Sequence, residues 1–325
     1  MTNKVWDLVA DIGGTTMRVA QVIEGNIVRR HDFKMDPDRS VPDNLVTFMA
    51  GLKGLPKAVV CAGAGPLIDG QIRLTNGGWL LSEPDIAAAT GAQKVHVIND
   101  FEAAAWSLAT VQDKDVTAIG DAQPLRHGHR VALGPGTGLG AGALIWDGAA
   151  YRVVPGEGGH VGIGPRTSEE VPIFERFGAL WPETRFSGTF TFEAEAMLSG
   201  TGLPFLYQAA GGEPCVKAAD VFARASLGEP AALKTVDIFR THLAVVAGNL
   251  AVTLRATGGI FLVGGVAQAN PGMFDNMFWD IFSAGGRFSE LRKECGIYLI
   301  NIEDFGLRGC VNALMSKQGA MAPHA

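Results

Sequence analysis

Two stretches of the chain lie over each other without a gap. LVADIGGTTMRVAQVIEGNIVR, beginning at Leu8, runs in register with VALGPGTGLGAGALIWDGAAYRV, beginning at Val131, so that Gly13 falls on Gly136, Ala20 on Ala143 and Gly25 on Gly148. Each copy reads as an apolar strand, a glycine-rich turn and a second apolar strand. Glu24-Gly25 or Asp147-Gly148 then forms a turn that opens a third strand. One such unit is weak evidence of anything. Two in register predict a duplication, with two related domains each offering a glycine turn to the same ligand.

The rest of the chain fits that plan. Ala58–Gly63 (AVVCAG) and Val95–Ile98 read as short buried strands, and an Ala- and Leu-rich helix is expected from about Phe101 to Thr110. Pro230 opens a long helix whose apolar residues Leu233, Val236, Phe239, Leu243, Val246, Leu250 and Leu254 recur at helical spacing. It is expected to end at Gly258-Gly259, with the strand Ile260–Val263 directly after it. Alternating strands and helices give an α/β architecture. At 325 residues, 47% hydrophobic and 18% charged, the chain can bury the cores of two domains.

A net charge of −6 with no run of Lys and Arg argues against nucleic-acid or membrane binding. The most apolar helical stretch, Leu243 to Leu254, is interrupted by Asn249 and flanked by Arg240 and Arg255, too short to span a bilayer. The N-terminus lacks signal-peptide anatomy. Of the four scattered cysteines, Cys61 and Cys310 sit in apolar surroundings and read as reduced thiols. A cytoplasmic protein is expected.

Three glycine turns carry the first chemical signal. Asp11-Ile12-Gly13-Gly14-Thr15-Thr16 ends the first strand. There glycines let backbone N–H groups approach phosphate oxygens, and the aspartate can hold Mg²⁺ directly or through water. The turn from Gly134 to Gly140, with Gly136, Thr137 and Gly138 at its centre, supplies more N–H groups and a hydroxyl. Phe261 to Val266 ends a strand in Gly264-Gly265, where a flat adenosine ring can approach the backbone. Any one of these alone is better read as a hairpin turn. GTGLG lacks the acidic ribose-binding residue of a dinucleotide site, and no G-x-x-x-x-G-K-[ST] is present, so neither a Rossmann nor a P-loop enzyme fits. The three together point to a nucleotide.

Polar constellations follow the strand ends: Leu74-Thr75-Asn76-Gly77-Gly78-Trp79, Val97-Ile98-Asn99-Asp100-Phe101, and Pro155-Gly156-Glu157-Gly158-Gly159-His160. DIGGT, INDF, GTGLG, PGEGGH, LSGTGL and LVGG stand in the same order as in bacterial glucokinases. Across essentially its whole length the chain resembles that family. These are non-ROK sugar kinases of the actin/hexokinase/heat-shock-chaperone ATPase fold. The resemblance implies two duplicated ribonuclease-H-like domains with an interdomain cleft. It divides the chain into a small domain, 1–110 plus 301–325, and a large one, 111–300, with the last helix packing back on the small domain.

The resemblance also implies roles. Asp100 becomes the general base, and Asn99, Asp100, Glu157, His160, Glu195 and Asn76 the sugar ligands. Asp11, Gly13, Gly14, Thr15, Gly136, Thr137, Gly138, Gly264 and Gly265 hold ATP, with Mg²⁺ on Asp11 through water, and the enzyme is a homodimer. The residue types suit the task. Each hexose hydroxyl both donates and accepts, and carboxylates, amides and an imidazole answer both needs. A carboxylate beside the reacting hydroxyl can take its proton. Simpler explanations exist for each. Asp100 could cap the helix that follows, Asn99 could be a turn residue, and Glu157 with His160 could be a solvated loop or a metal pair. Glu193 has the same chemistry as Glu195. No cysteine cluster follows His160, so no structural zinc of the ROK kind is expected. The chain departs from many family members at Thr16, where they have Asn, and keeps Arg18.

Three competing functions remain at this level. The chain is a glucokinase, a kinase for another hexose or amino sugar, or a catalytically silent sugar-sensing regulator. A silent regulator would be expected to lose Asp100.

Overall fold

A computed structural model describes residues 5–74, 78–123, 125–302 and 304–319. The chain divides into two compact units: Met1–Val111 with Trp146–Pro155 and Ile302–Ala325, and Gln112–Ile145 with Gly156–Asn301. The segment Trp146–Pro155 joins the first unit, because Tyr151–Val154 packs against the helix Asp100–Ser107. The division expected from sequence leaves that segment in the second.

The first unit is built on a five-stranded sheet in the order Asn26–Lys34, Thr16–Ile23, Asp7–Ile12, Ala58–Gly63, Lys94–Asn99. The first three strands are antiparallel neighbours; Ala58–Gly63 and Lys94–Asn99 continue the sheet in parallel. Ala58–Gly63 is buried at every position, which is why it reads as an unbroken apolar run. Asn26–Lys34, by contrast, is exposed almost throughout. It forms an edge blunted by Arg29, Arg30 and Lys34. The helix Phe305–Lys317 packs on Asp100–Ser107 and on the sheet. Gly309 makes the closest approach: a Cβ there would stand 1.8 Å from the Ala103 carbonyl oxygen. Asn312 Nδ2 donates to the Trp106 carbonyl at 2.9 Å. Cys61 and Cys310 are buried free thiols, and burial pushes the Cys61 thiol up to about 12.

The second unit repeats the lateral order from the hairpin onward. Its hairpin Arg130–Pro135 and Leu139–Trp146 is antiparallel. Gly259–Leu262 and Ile297–Ile300 follow in parallel, and Val116–Ala118 closes the far edge. The two hairpins differ by one residue. Ile12 pairs with Met17, whereas Pro135 pairs with Leu139, so the second turn is tighter than the sequence overlay implies. The turns that follow also differ in construction. Glu24 and Gly25 both take positive φ, whereas Asp147 Oδ1 accepts from the N–H groups of Ala149 and Ala150 at 2.9 and 2.8 Å.

The long helix runs Pro230–Leu254, as its periodicity predicts, but stops before Gly258-Gly259. Arg255 ends it in the left-handed conformation, φ 45°; Gly259 begins the next strand and Gly258 belongs to the turn before it. There a Cβ on Gly258 would lie 2.6 Å from the Gly128 carbonyl oxygen. The buried stripe passes through Ala232, Thr235, Phe239, His242, Leu243 and Val246. Leu233, which the periodicity puts in that stripe, is 50% exposed instead.

Candidate active site

Asp11 ends the first strand opposite Arg18, the pairing set by the hairpin register. Arg18 Nη1 donates to its Oδ2 at 3.1 Å. Burial pushes the Asp11 carboxyl above the usual carboxylate range; Arg18 opposes the shift without cancelling it, and Asp304 adds to it. The start of the helix Phe305–Lys317 lies against this carboxylate. A Cβ on Gly306 would come within 2.5 Å of it, so only glycine fits. Beside Asp11, the Gly13 N–H donates to the Thr16 carbonyl at 3.0 Å, and Gly14 and Thr15 are exposed at the tip of the turn. One hard carboxylate beside a glycine turn is a donor set that suits Mg²⁺, which commonly binds through one or two carboxylates, water and substrate phosphates.

Asp100 is the first residue of its helix, and its Oδ1 accepts from the Phe101 N–H at 3.0 Å. The capping role falls on Asn99. Its Oδ1 accepts from Phe101 N at 2.7 Å and Glu102 N at 3.3 Å, and its Nδ2 donates to the Gly65 carbonyl at 2.9 Å. With both acceptor positions of Oδ1 filled, Asn99 can offer a ligand only its remaining N–H. It also fixes where the helix starts, and so where Asp100 stands. Asn76 lies outside the described residues.

In the second unit the glycine turn borders a cavity of about 750 Å³. Gly136, Thr137, Gly200, Thr201, Phe205, Gln208 and Gly265 are among its walls. The LSGTGL segment pins the turn: Gly200 N donates to the Gly136 carbonyl at 2.7 Å, and Thr201 donates to the Thr137 carbonyl through its N–H and its hydroxyl, at 3.1 and 2.9 Å. Gly264 supports the turn from below. It takes φ +89°, and a Cβ would stand 2.7 Å from the Pro135 carbonyl oxygen.

Glu157 and His160 lie on an exposed loop, with a 3₁₀ turn at Gly158–His160 in which the His160 N–H donates to the Glu157 carbonyl at 3.1 Å. Glu193 and Glu195, alike in sequence, part company here. His160 Nδ1 lies 3.2 Å from Glu193 Oε2, while Glu195 Oε2 accepts from the Leu139 N–H at 2.8 Å. Gly138 is what admits Glu195, since a Cβ there would lie 2.4 Å from the same oxygen. Phe205 and Gln208 are wall residues that sequence reasoning missed. Their only local signal is a spacing of three on one helix.

A family model described as glucokinase matches residues 8–317. The chain belongs to the glucokinase family. A glucokinase of Sinorhizobium fredii is 38% identical over 275 residues, covering 80% of this chain and 77% of that one. A glucokinase of Nitrobacter hamburgensis is 34% identical over 314 residues, covering 94% and 96%. The crystal structure of a glucokinase from an Antarctic psychrotroph matches at a TM-score of 0.82 and 26% identity, covering 96% of this chain and 99% of that one. This member of the family is therefore an ATP-dependent sugar kinase that phosphorylates glucose, built on the mixed α/β fold of solved glucokinases. Among the described residues no helix is long and apolar enough to cross a membrane.

Proposed function

We propose that the enzyme transfers the γ-phosphoryl group of ATP to the 6-hydroxyl of glucose with Asp100 as general base. The observation that carries this assignment is the junction at Asn99: its amide caps the helix and anchors to Gly65, holding the Asp100 carboxylate at the end of a parallel strand. Asp100 accepts the hydroxyl proton as the oxygen attacks, and ADP leaves. Asn99, Glu157, His160 and Glu195 hold the other hydroxyls, Asn99 as a donor and Glu195 through the oxygen that does not serve Leu139; Asn76 is assigned to the same set by motif. Gly13, Gly14, Thr15, Gly136, Thr137 and Gly138 face the phosphates. The adenosine occupies the cavity beside Gly265, with Gly264 as its support. Asp11 would hold Mg²⁺ through water, where the cation would offset phosphate charge.

The finer architecture is part of the same proposal. The repeated strand order supports two duplicated ribonuclease-H-like domains of the actin-like ATPase fold. Each unit supplies only part of the proposed ligand set. We also assign the enzyme to the non-ROK branch, to the cytoplasm, where the buried thiols Cys61 and Cys310 stay reduced, and to a homodimer.

A coupled assay with ATP and a panel of sugars tests the substrate. A site that pairs each hydroxyl rejects an analogue that leaves a buried group unpaired by about 1–3 kcal/mol. Glucose should exceed its epimers and N-acetylglucosamine in kcat/KM accordingly. Equal values for glucose, galactose and N-acetylglucosamine would overturn glucose as the preferred acceptor.

A further inference from the structure

Glu193 faces His160 because of local strand pairing. Gly162–Ile163 and Phe192–Glu193 form a two-stranded antiparallel ladder in which Gly162 pairs with Glu193 and Ile163 with Phe192. The Ala194 N–H donates to the Val161 carbonyl at 2.8 Å and extends the pairing toward His160. The carboxylate thus arrives 3.2 Å from Nδ1, with both side chains partly exposed, 46% for His160 and 36% for Glu193. An ionised carboxylate can only accept, so the ring nitrogen facing it must carry the proton. In the neutral ring that leaves Nε2 as the acceptor, and it holds the ring in one orientation.

We propose that Glu193 is a positioning residue for glucose binding: it locks His160 in the Nδ1–H tautomer, so that Nε2 accepts a hydrogen bond from a sugar hydroxyl. This rests on the assignment of His160 to the sugar. Glu193 itself does not touch the substrate. The same short segment then serves both halves of the second unit's site, with Glu193 setting the imidazole and Glu195 the glycine turn. A small polar residue at position 193 would leave the tautomer to solvent.

Two measurements on the full-length enzyme test the proposal. The first is a long-range nitrogen–proton correlation spectrum of the imidazole groups at a pH where the rings are neutral. The parent should show the Nδ1–H form of His160, and Glu193→Ala should shift it toward a mixture. The second is a kinetic cycle of Glu193→Ala, His160→Ala and the double variant. Glu193→Ala should raise the KM for glucose about ten-fold, with kcat and the KM for ATP changed much less. In the His160→Ala background it should add nothing. Glu193→Gln, which keeps an acceptor oxygen, should recover part of the affinity and guards against a variant that fails to fold.

An unchanged tautomer in Glu193→Ala, or effects that add to those of His160→Ala, would overturn the positioning role. If His160→Ala weakens glucose binding and Glu193→Ala does not, only the positioning role fails. If His160→Ala leaves the glucose KM at the parent value, the sugar assignment of His160 fails, and the positioning role with it.

Discussion

Glu195 accepts the Leu139 N–H at 2.8 Å, and Gly138, the residue before that N–H, has no side chain to obstruct it. The carboxylate and the glycine form one device: the turn keeps its shape because an acceptor stands under it. Gly138→Ala would set a Cβ 2.4 Å from the same oxygen and force the two apart. The Leu139 N–H then loses its partner, a loss of about 1–3 kcal/mol. The expected outcome is a lowered melting temperature and a KM for ATP raised about ten-fold, measured by thermal unfolding and initial rates. An unchanged KM for ATP would remove this turn from the phosphate site.

The pair Glu170–His242 makes a prediction about acid. The Glu170 side chain is 7% exposed and that of His242 2%, with Nε2 and Oε2 3.0 Å apart. Burial alone would raise the Glu170 carboxyl. The hydrogen bonds from His242 and from the Arg166 N–H outweigh it and hold the group below its ordinary value. A carboxyl lowered in the folded state adds stability that is fully present above its unfolded value of 4.5 and is lost as pH falls through the folded one. Glu170→Gln should therefore reduce stability by about 1–3 kcal/mol at neutral pH. The two unfolding curves should converge in acid below that range. Urea unfolding across pH measures it; a difference that stays constant from neutral to acid would contradict the ionic account.

Two glycines of the last described helix separate function from packing. Gly306→Ala would meet the Asp11 carboxylate at 2.5 Å, while Gly309→Ala would meet the Ala103 carbonyl oxygen at 1.8 Å. The first should chiefly impair activity, most visibly at limiting Mg²⁺, because it displaces a group assigned to that ion. The second should chiefly destabilise the fold, by about 1–3 kcal/mol or more. Melting temperatures and rates against Mg²⁺ concentration distinguish them. Equal losses of activity per degree of melting temperature in both variants would argue that Gly306 is only a packing residue.

Signals that act over a few residues were legible in the chain. The glycine turns, the apolar run Ala58–Gly63 and the Pro230 helix start all follow from local backbone preference or periodicity. What sequence could not supply depends on groups distant in the chain. The helix ends at Arg255 rather than at the glycines, because Gly258 is held against Gly128 by the turn. The periodicity holds at Phe239, Leu243 and Val246 but fails at the start of the helix, where Ala232 and Thr235 are buried and Leu233 is exposed. Glu193 and Glu195 cannot be told apart by type, and only the strand pairing and the short helix after it send one to His160 and the other to Leu139. Asn99 and Asp100 pose the same problem at adjacent positions, and the helix geometry gives the cap to Asn99.

The assignment of Asp100 as the base is tested most directly by the turnover of Asp100→Asn at saturating glucose and ATP, with glucose affinity measured on the same sample by calorimetry. The amide keeps the shape and can still hydrogen-bond a hydroxyl, but it cannot take the proton. A fall in kcat on the order of 10²–10⁴, with glucose binding changed by only a few-fold, is the predicted result. Turnover close to that of the parent enzyme would contradict the assignment.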